Sequence, residues 1–400
     1  MLITSREAAR RLGVKPATLY AYVSRGLLRS AHAPKSRERR YYVDDVERLK
    51  RLRHAGRRAG TPPKPFDSLT PVLDSNICLI EGGRLYYRGV DVAVLAESAD
   101  LETTAQLLWG SDAPDPFTAS EPRPRLAGRT RALSPGLSSI DRARAVLVEL
   151  TAHDFSALDT SPVSVARTGA RLMRALAAAL AGSAPNAAPL HAQLAAGWGL
   201  DAAGADLVRG ALVLVADHEL NASTYVARCV ASTGASPYAV VIAALSALSG
   251  PLHGGETSRV EVLIPELINS KDRMRKLAER LQRGERIPGF GHPLYPSGDP
   301  RAVSLLTALA ASKLARRSAP VLRIGEEVTG LIGRQPNIDF ALGAVSFVLG
   351  LPRGAGLGIF LLGRTAGWIA HAIEQYATGT IIRPRARYTG VLPGPERGLS

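Results

Sequence analysis

Two stretches, SPVSVARTGARLMRALAAALAG at 161–182 and DAAGADLVRGALVLVADHEL at 201–220, return to an apolar side chain every three to four positions. That spacing lays the apolar groups along one helical face, which must be buried against another element. Only 5% of the chain is aromatic, while Ala, Leu and Gly are abundant; sheets lean instead on β-branched and aromatic side chains. Packed helices are therefore expected to dominate. With 400 residues, 46% of them hydrophobic, the chain can bury a sizeable core and form more than one domain.

The first residues, MLITSREAARRL, place charges where a secretion signal needs an apolar stretch, and no later apolar run is long enough for a membrane span. A cytoplasmic chain without a membrane partner is expected. Cys78 and Cys229 are the only cysteines, too few for a disulfide framework and without metal-ligand neighbours, so they read as structural thiols and no metal site is expected.

The net charge of +15 is unevenly spread: residues 1–60 carry 16 Lys and Arg against 5 Asp and Glu. A concentrated positive charge of this kind suits a polyanion such as nucleic acid, or a solvated basic face. Within it, Thr4 or Ser5 can cap a helix through REAARRL, Gly13 ends it, and Pro16 opens a second amphipathic stretch in which Leu19 and Val23 share a face. The pattern TSREAARRLGVKPATLYAYVSRGLL resembles the helix-turn-helix of MerR-like and excisionase-like DNA-binding domains, and extends through a basic wing to YYVDDVERLKRLR. The resemblance puts Lys15, Thr18, Tyr20 and Tyr22 on or near a recognition helix and Arg37, Arg39 and Arg40 against phosphates, making residues 1–53 a domain able to bind DNA. Residues 54–67, rich in Gly, Pro and charge, read as a linker, and the Pro-rich stretch 111–128 resembles another.

Chemistry-bearing residues concentrate between 217 and 390. His218 lies in DHELNAST, where a lone histidine is most often a satisfied core residue. His253 lies in GPLHGGE, whose glycines either let backbone and imidazole approach a ligand closely or simply make a turn that happens to hold a histidine. His292 and Arg301 lie in GFGHPLYPSGDPR, 289–301, where prolines forbid a continuous helix and glycines permit unusual backbone angles, so the loop is shaped rather than slack. Asp339 follows a proline in QPNIDF, where it could equally cap a helix. Arg364 sits in the otherwise apolar GRTAGWIAHAIEQ, and Arg383 in IIRPRARYTG.

In this order, with 35, 39 and 47 residues separating His218, His253, His292 and Asp339, the motifs resemble those of the citrate synthase family. The likeness covers nearly all of the chain after residue 67, including the segment 74–110 with its YRG-x-D stretch at 87–91. It implies a mainly α fold: a large helical domain formed by 68–254 and 346–400, a small one at 255–345, a cleft between them, and short strands near 76–88.

The resemblance also implies condensation of acetyl-CoA with oxaloacetate and water, with propionyl-CoA as an alternative acyl donor giving 2-methylcitrate. Asp339 would take the methyl proton, His253 would hydrogen-bond the thioester oxygen, and His292 would polarise the ketone. His218, Arg301, Arg364 and Arg383 would hold oxaloacetate, with Arg383 reaching the neighbouring site of a homodimer. Backbone at Ile287, Pro288, Gly289, Phe290 and Gly291 would contact CoA. No cofactor is implied beyond the CoA thioester as substrate. One departure is plain: the family's common HGGANE is here HGGETSRVE, with Glu256 beside the histidine loop. A reading of another class is a DNA-binding regulator whose synthase-like body senses oxaloacetate or acyl-CoA; a pure sensor would have little use for a base at Asp339.

Overall fold

The computed structural model describes residues 2–12, 14, 19, 22–23, 28–32, 39–47, 73–110, 115–118, 137–386 and 388–390, and these fall into two compact units divided at Leu73 and Asp74.

In the first unit Thr4 caps the helix Ser5–Leu12, its hydroxyl accepting the Glu7 N–H at 3.3 Å. Strands β1 (Leu2–Thr4), β2 (Ser30–His32) and β3 (Arg39–Tyr42) form an antiparallel sheet in the order β1-β3-β2. Ile3, Ala8, Leu12, Leu19, Leu28, Tyr41 and Val46 close a small core. Asp45, 5% exposed, holds the Arg29 guanidinium through both carboxylate oxygens. The expected linker, 54–67, lies outside the described residues.

The second unit opens with the strands expected near 76–88: β4 (Cys78–Glu81), β5 (Arg84–Tyr87) and β6 (Val90–Asp91), an antiparallel meander. The elements that follow among the described residues are helices. Side-chain caps start many of them, among them Asp100, Asp201, Asn221, Asp299 and Asn337, each satisfying backbone N–H groups that have no partner inside the helix. The stretches 161–182 and 201–220 become the helices Pro162–Ala181 and Ala202–Leu214, as their periodicity predicts.

The helix Ala355–Thr378 runs through the centre of this unit. It packs against Leu101–Trp109, Pro162–Ala181, Ala202–Leu214, Ala222–Ala231, Pro237–Leu248 and Ile338–Leu349. Its length and hydropathy would let it cross a membrane, but its apolar window is wholly buried among these neighbours. Glycine permits this closeness. A Cβ at Gly367 would lie 2.4 Å from both the Ala216 carbonyl oxygen and Asp217 Oδ1, so the helix could not reach the segment before His218.

Gly367→Ala is therefore expected to destabilise the fold by about 1–3 kcal/mol through overpacking against backbone. Gly330→Ala, on a helix with nothing within 4 Å of the added Cβ, should be neutral or slightly stabilising. Thermal denaturation of both variants checks the contrast, and equal melting temperatures would refute it.

Candidate active site

His218 sits in the turn between the helices Ala202–Leu214 and Ala222–Ala231. The buried Tyr87 hydroxyl shapes that turn, accepting the Asp217 N–H at 2.9 Å and lying 3.1 Å from the Asp217 carbonyl oxygen. Asn221 then caps the second helix, its Oδ1 accepting the Thr224 N–H at 3.1 Å. The same turn presents Ser223, whose hydroxyl meets His253 Nε2 at 2.8 Å. His253 enters from the other side, just before the helix Gly255–Ile268.

The loop carrying His292 is fastened to the segment carrying Asp339. Gly291 N–H donates to the Gln335 carbonyl at 2.8 Å, Asn337 N–H to the Gly289 carbonyl at 2.9 Å, and Asn337 Nδ2 to the Gly291 carbonyl at 3.1 Å. Asn337 is also the cap of the helix Ile338–Leu349, accepting the Asp339 N–H at 3.0 Å. One side chain thereby fixes the distance between loop and carboxylate. Gly289, at φ +86°, is obligatory as well: a Cβ there would meet Val260 at 2.8 Å and Phe340 at 2.9 Å.

His218, His253, His292, Arg301, Asp339 and Arg364 all line one cavity of about 440 Å³. The rings of His218 and His292 meet edge to face with centroids 5.1 Å apart, and His218 Nε2 lies 3.0 Å from the Tyr295 hydroxyl. Arg301, 3% exposed, is gripped by Asp299 through Nε at 2.9 Å and Nη2 at 2.8 Å. Arg364, 1% exposed, places Nε on the Val215 carbonyl at 2.8 Å; its two terminal nitrogens are buried without a hydrogen-bond partner among the described residues. Unpaired buried donors are costly, and a planar guanidinium facing a cavity is matched by a carboxylate.

The electrostatics divide the site by role. Burial, aided by the Arg301 charge, pushes His292 down to about 4; burial, aided by Arg364, does the same to His253. His218 is held well below the usual histidine range by burial and then by Arg301 and Arg364. All three are neutral near pH 7 and can donate a hydrogen bond without carrying charge. His292 Nδ1 accepts the Leu294 N–H at 3.2 Å, which leaves the proton on Nε2. Asp339 moves the other way: burial raises it to about 6, against a hydrogen bond from the Thr257 hydroxyl. It is ionised at neutral pH yet more basic than a free carboxylate. Burial opposes charge on both Asp299 and Arg301, but each holds the other ionised, Asp299 below the usual carboxylate range and Arg301 above the usual guanidinium value.

The remaining expected residues divide. Pro288 lines the cavity, while Ile287, Gly289 and Phe290 are buried beside it and Gly291 is half-buried. Arg383 is exposed and is not part of the cavity lining. Of the residues expected to meet DNA, Lys15, Thr18, Tyr20 and Arg37 lie outside the described residues. Tyr22 is half-buried against the core of the first unit, Arg39 is half-buried, and Arg40 is exposed. Sequence reasoning passed over Tyr295, Ser223, Thr257, Asn337 and Asp299. Tyr295 and Asp299 stood within the quoted loop, but nothing in their spacing shows which partner each meets. No cluster of three or more His, Cys, Asp or Glu placed to hold a metal ion occurs among the described residues.

Asp299→Asn leaves Arg301 buried and uncompensated and is expected to cost about 3–5 kcal/mol at pH 7. Because the folded carboxyl lies below its unfolded value of about 4, its contribution is complete above that pH and fades as pH falls through the folded value. Urea unfolding of wild type and variant should show a gap that narrows in acid; a gap independent of pH would contradict the pairing.

Known proteins share this arrangement of chain. The sequence pattern of "Citrate synthase, C-terminal domain" matches residues 68–385, and that of "MerR HTH family regulatory protein" matches residues 3–64. Citrate synthase 2 of Bacillus subtilis is 41% identical over 187 residues, 45% of this chain; the chain spans only half of that protein's length, 50%. The citrate synthase of Haloferax volcanii is 31% identical over 355 residues, covering 80% of this chain and 93% of that one. The crystal structure of citrate synthase from Thermotoga maritima superposes with a TM-score of 0.68 at 29% identity, over 82% of this chain and 96% of that chain. With 80% of the chain matched to such a relative and residues 68–385 to the family pattern, the chain belongs to the citrate synthase family, acyltransferases that use CoA thioesters, and carries an N-terminal segment matching the MerR helix-turn-helix family.

Proposed function

We propose that the protein condenses acetyl-CoA with oxaloacetate and water to give citrate and CoA, and that propionyl-CoA can replace acetyl-CoA to give 2-methylcitrate. The observation carrying this reading is the convergence of one basic carboxylate and neutral imidazoles on a cavity whose wall holds the unpartnered nitrogens of Arg364. Arg301 and Arg364, with His218 in the same cavity wall, suit a small dicarboxylate. Its ketone would then face His292.

In the proposed reaction the Asp339 carboxylate takes a proton from the thioester's α-carbon. Negative charge moves to the thioester oxygen, which His253 stabilises by a hydrogen bond. The α-carbon attacks the ketone, a carbon–carbon bond forms, and the resulting alkoxide takes the Nε2 proton of His292, which is restored by the proton that Asp339 removed from the α-carbon. Water then cleaves the thioester, and CoA leaves as the thiol. Neutral histidines suit this sequence because they donate hydrogen bonds without repelling a substrate-bound arginine.

Domain closure of 255–345 over the rest of the synthase body is part of the proposal, since excluding water strengthens these interactions. So is a homodimer in which Arg383 serves the neighbouring site; its exposure away from this cavity supports that assignment. DNA binding through residues 1–53 is compatible with the enzyme and rests on the MerR-type match and on basic residues such as exposed Arg40. Acyl-chain choice turns on one methylene, worth about 1–3 kcal/mol in a hydrophobic pocket.

Asp339→Ala is expected to lower kcat by about a hundredfold to ten-thousandfold while oxaloacetate affinity stays near the wild-type value. In wild type, kcat/KM should fall as pH drops through about 6, the value set for Asp339 by burial. Steady-state thiol release and oxaloacetate calorimetry test both, and unchanged turnover in the variant would remove Asp339 from the mechanism.

A further inference from the structure

The departure at Glu256 is structurally active. Glu256 lies in the first turn of the helix Gly255–Ile268 and lines the same cavity as Asp339. Its Oε1 accepts the Gly289 N–H at 3.2 Å, the amide of the loop residue whose φ of +86° no other residue type adopts easily. The next residue, Thr257, is fully buried and donates its hydroxyl to Asp339. Adjacent residues of one helix therefore contact the loop 287–291 and the Asp339 carboxylate. Glu256 Oε2 also meets Arg259 at 3.5 Å, a largely exposed guanidinium that lines the same cavity, so solvent screens this pair.

We infer that Glu256 is a positioning residue of this chain's site, fastening the loop 287–291 at the acyl-CoA end of the cavity and keeping a fixed negative charge beside the base Asp339. The inference deepens the proposed condensation and rests on that reading for the roles of loop and base. The groups facing Asp339 are Glu256 and Thr257 on one helix and Asp299 and Arg301 at the start of another; His218, His253, Arg259, Arg286, His292 and Arg364 also line the cavity. Glu256 and Asp299 disfavour ionisation of Asp339, while Thr257 and Arg301 favour it. Among these four, Glu256 is the charge without a bidentate partner, and its removal is therefore the cleanest way to change the base without dismantling the site.

Two variants separate the two roles. Glu256→Gln keeps an oxygen acceptor for Gly289 N–H but removes the charge, whereas Glu256→Ala removes both. In Glu256→Gln the acid limb of kcat/KM should move to lower pH by about half a unit or more, with a lower plateau because the base is weaker and KM for the acyl-CoA within about twofold of wild type. In Glu256→Ala the same limb shift should be joined by a several-fold higher KM for the acyl-CoA. The titration of Asp339 is also read without turnover, from carbon-13 carboxyl signals of full-length labelled protein, with Asp339→Asn assigning the resonance. A downward shift of that signal in Glu256→Gln supports the inference even where no acyl-CoA is turned over, a result that would overturn the proposed condensation alone. An Asp339 titration that superimposes on wild type in Glu256→Gln overturns the inference, whatever the activity.

Discussion

The site depends most on Asp299. Its carboxylate holds the Nε–Nη2 edge of the Arg301 guanidinium, accepts the Arg301 N–H at 3.1 Å as a helix cap, and accepts the Ile338 N–H at 3.0 Å. Three otherwise separate parts are thereby fixed to one another: the arginine in the cavity wall, the helix Pro300–Ala311, and the first turn of the helix that carries Asp339. Two charges so deeply buried are stable only as a pair. Asn337 completes the frame from the other side by tying the same helix start to Gly289 and Gly291.

Given that frame, the electrostatic character of the cavity follows. Burial, reinforced by the charges of the two buried guanidinium groups, keeps the three imidazoles from holding a proton at neutral pH. Asp339 stays basic despite the nearby arginines because burial, with Glu256 and Asp299 adding to it, outweighs the hydrogen bond from Thr257 and the charge of Arg301. The site thus holds neutral donors and an anionic base side by side. A dianionic substrate of the proposed reaction would meet the terminal nitrogens of Arg364 in this cavity.

Much of this was legible in the sequence. The helical periodicity of 161–182 and 201–220, the strands near 76–88, and the glycine-flanked histidines with their spacing all reflect local constraints that leave a mark on neighbouring residues. What stayed hidden is pairing across distance. Ser223 with His253, Tyr295 with His218, and Thr257 with Asp339 are ordinary polar residues in sequence and acquire meaning only when helices 30 to 82 positions apart come together. Tyr87 was visible as part of YRG-x-D, but its grip on the turn before His218 spans 130 positions. Glu256 stood out as a departure, and its partner, the Gly289 amide, did not.

The central claim is that this cavity joins an acyl-CoA to oxaloacetate. Its most direct test is the release of free thiol by purified full-length protein from acetyl-CoA and from propionyl-CoA, each with and without oxaloacetate. The account predicts release with at least one thioester that depends on oxaloacetate. Folded protein that releases no thiol from either thioester in the presence of oxaloacetate would contradict it.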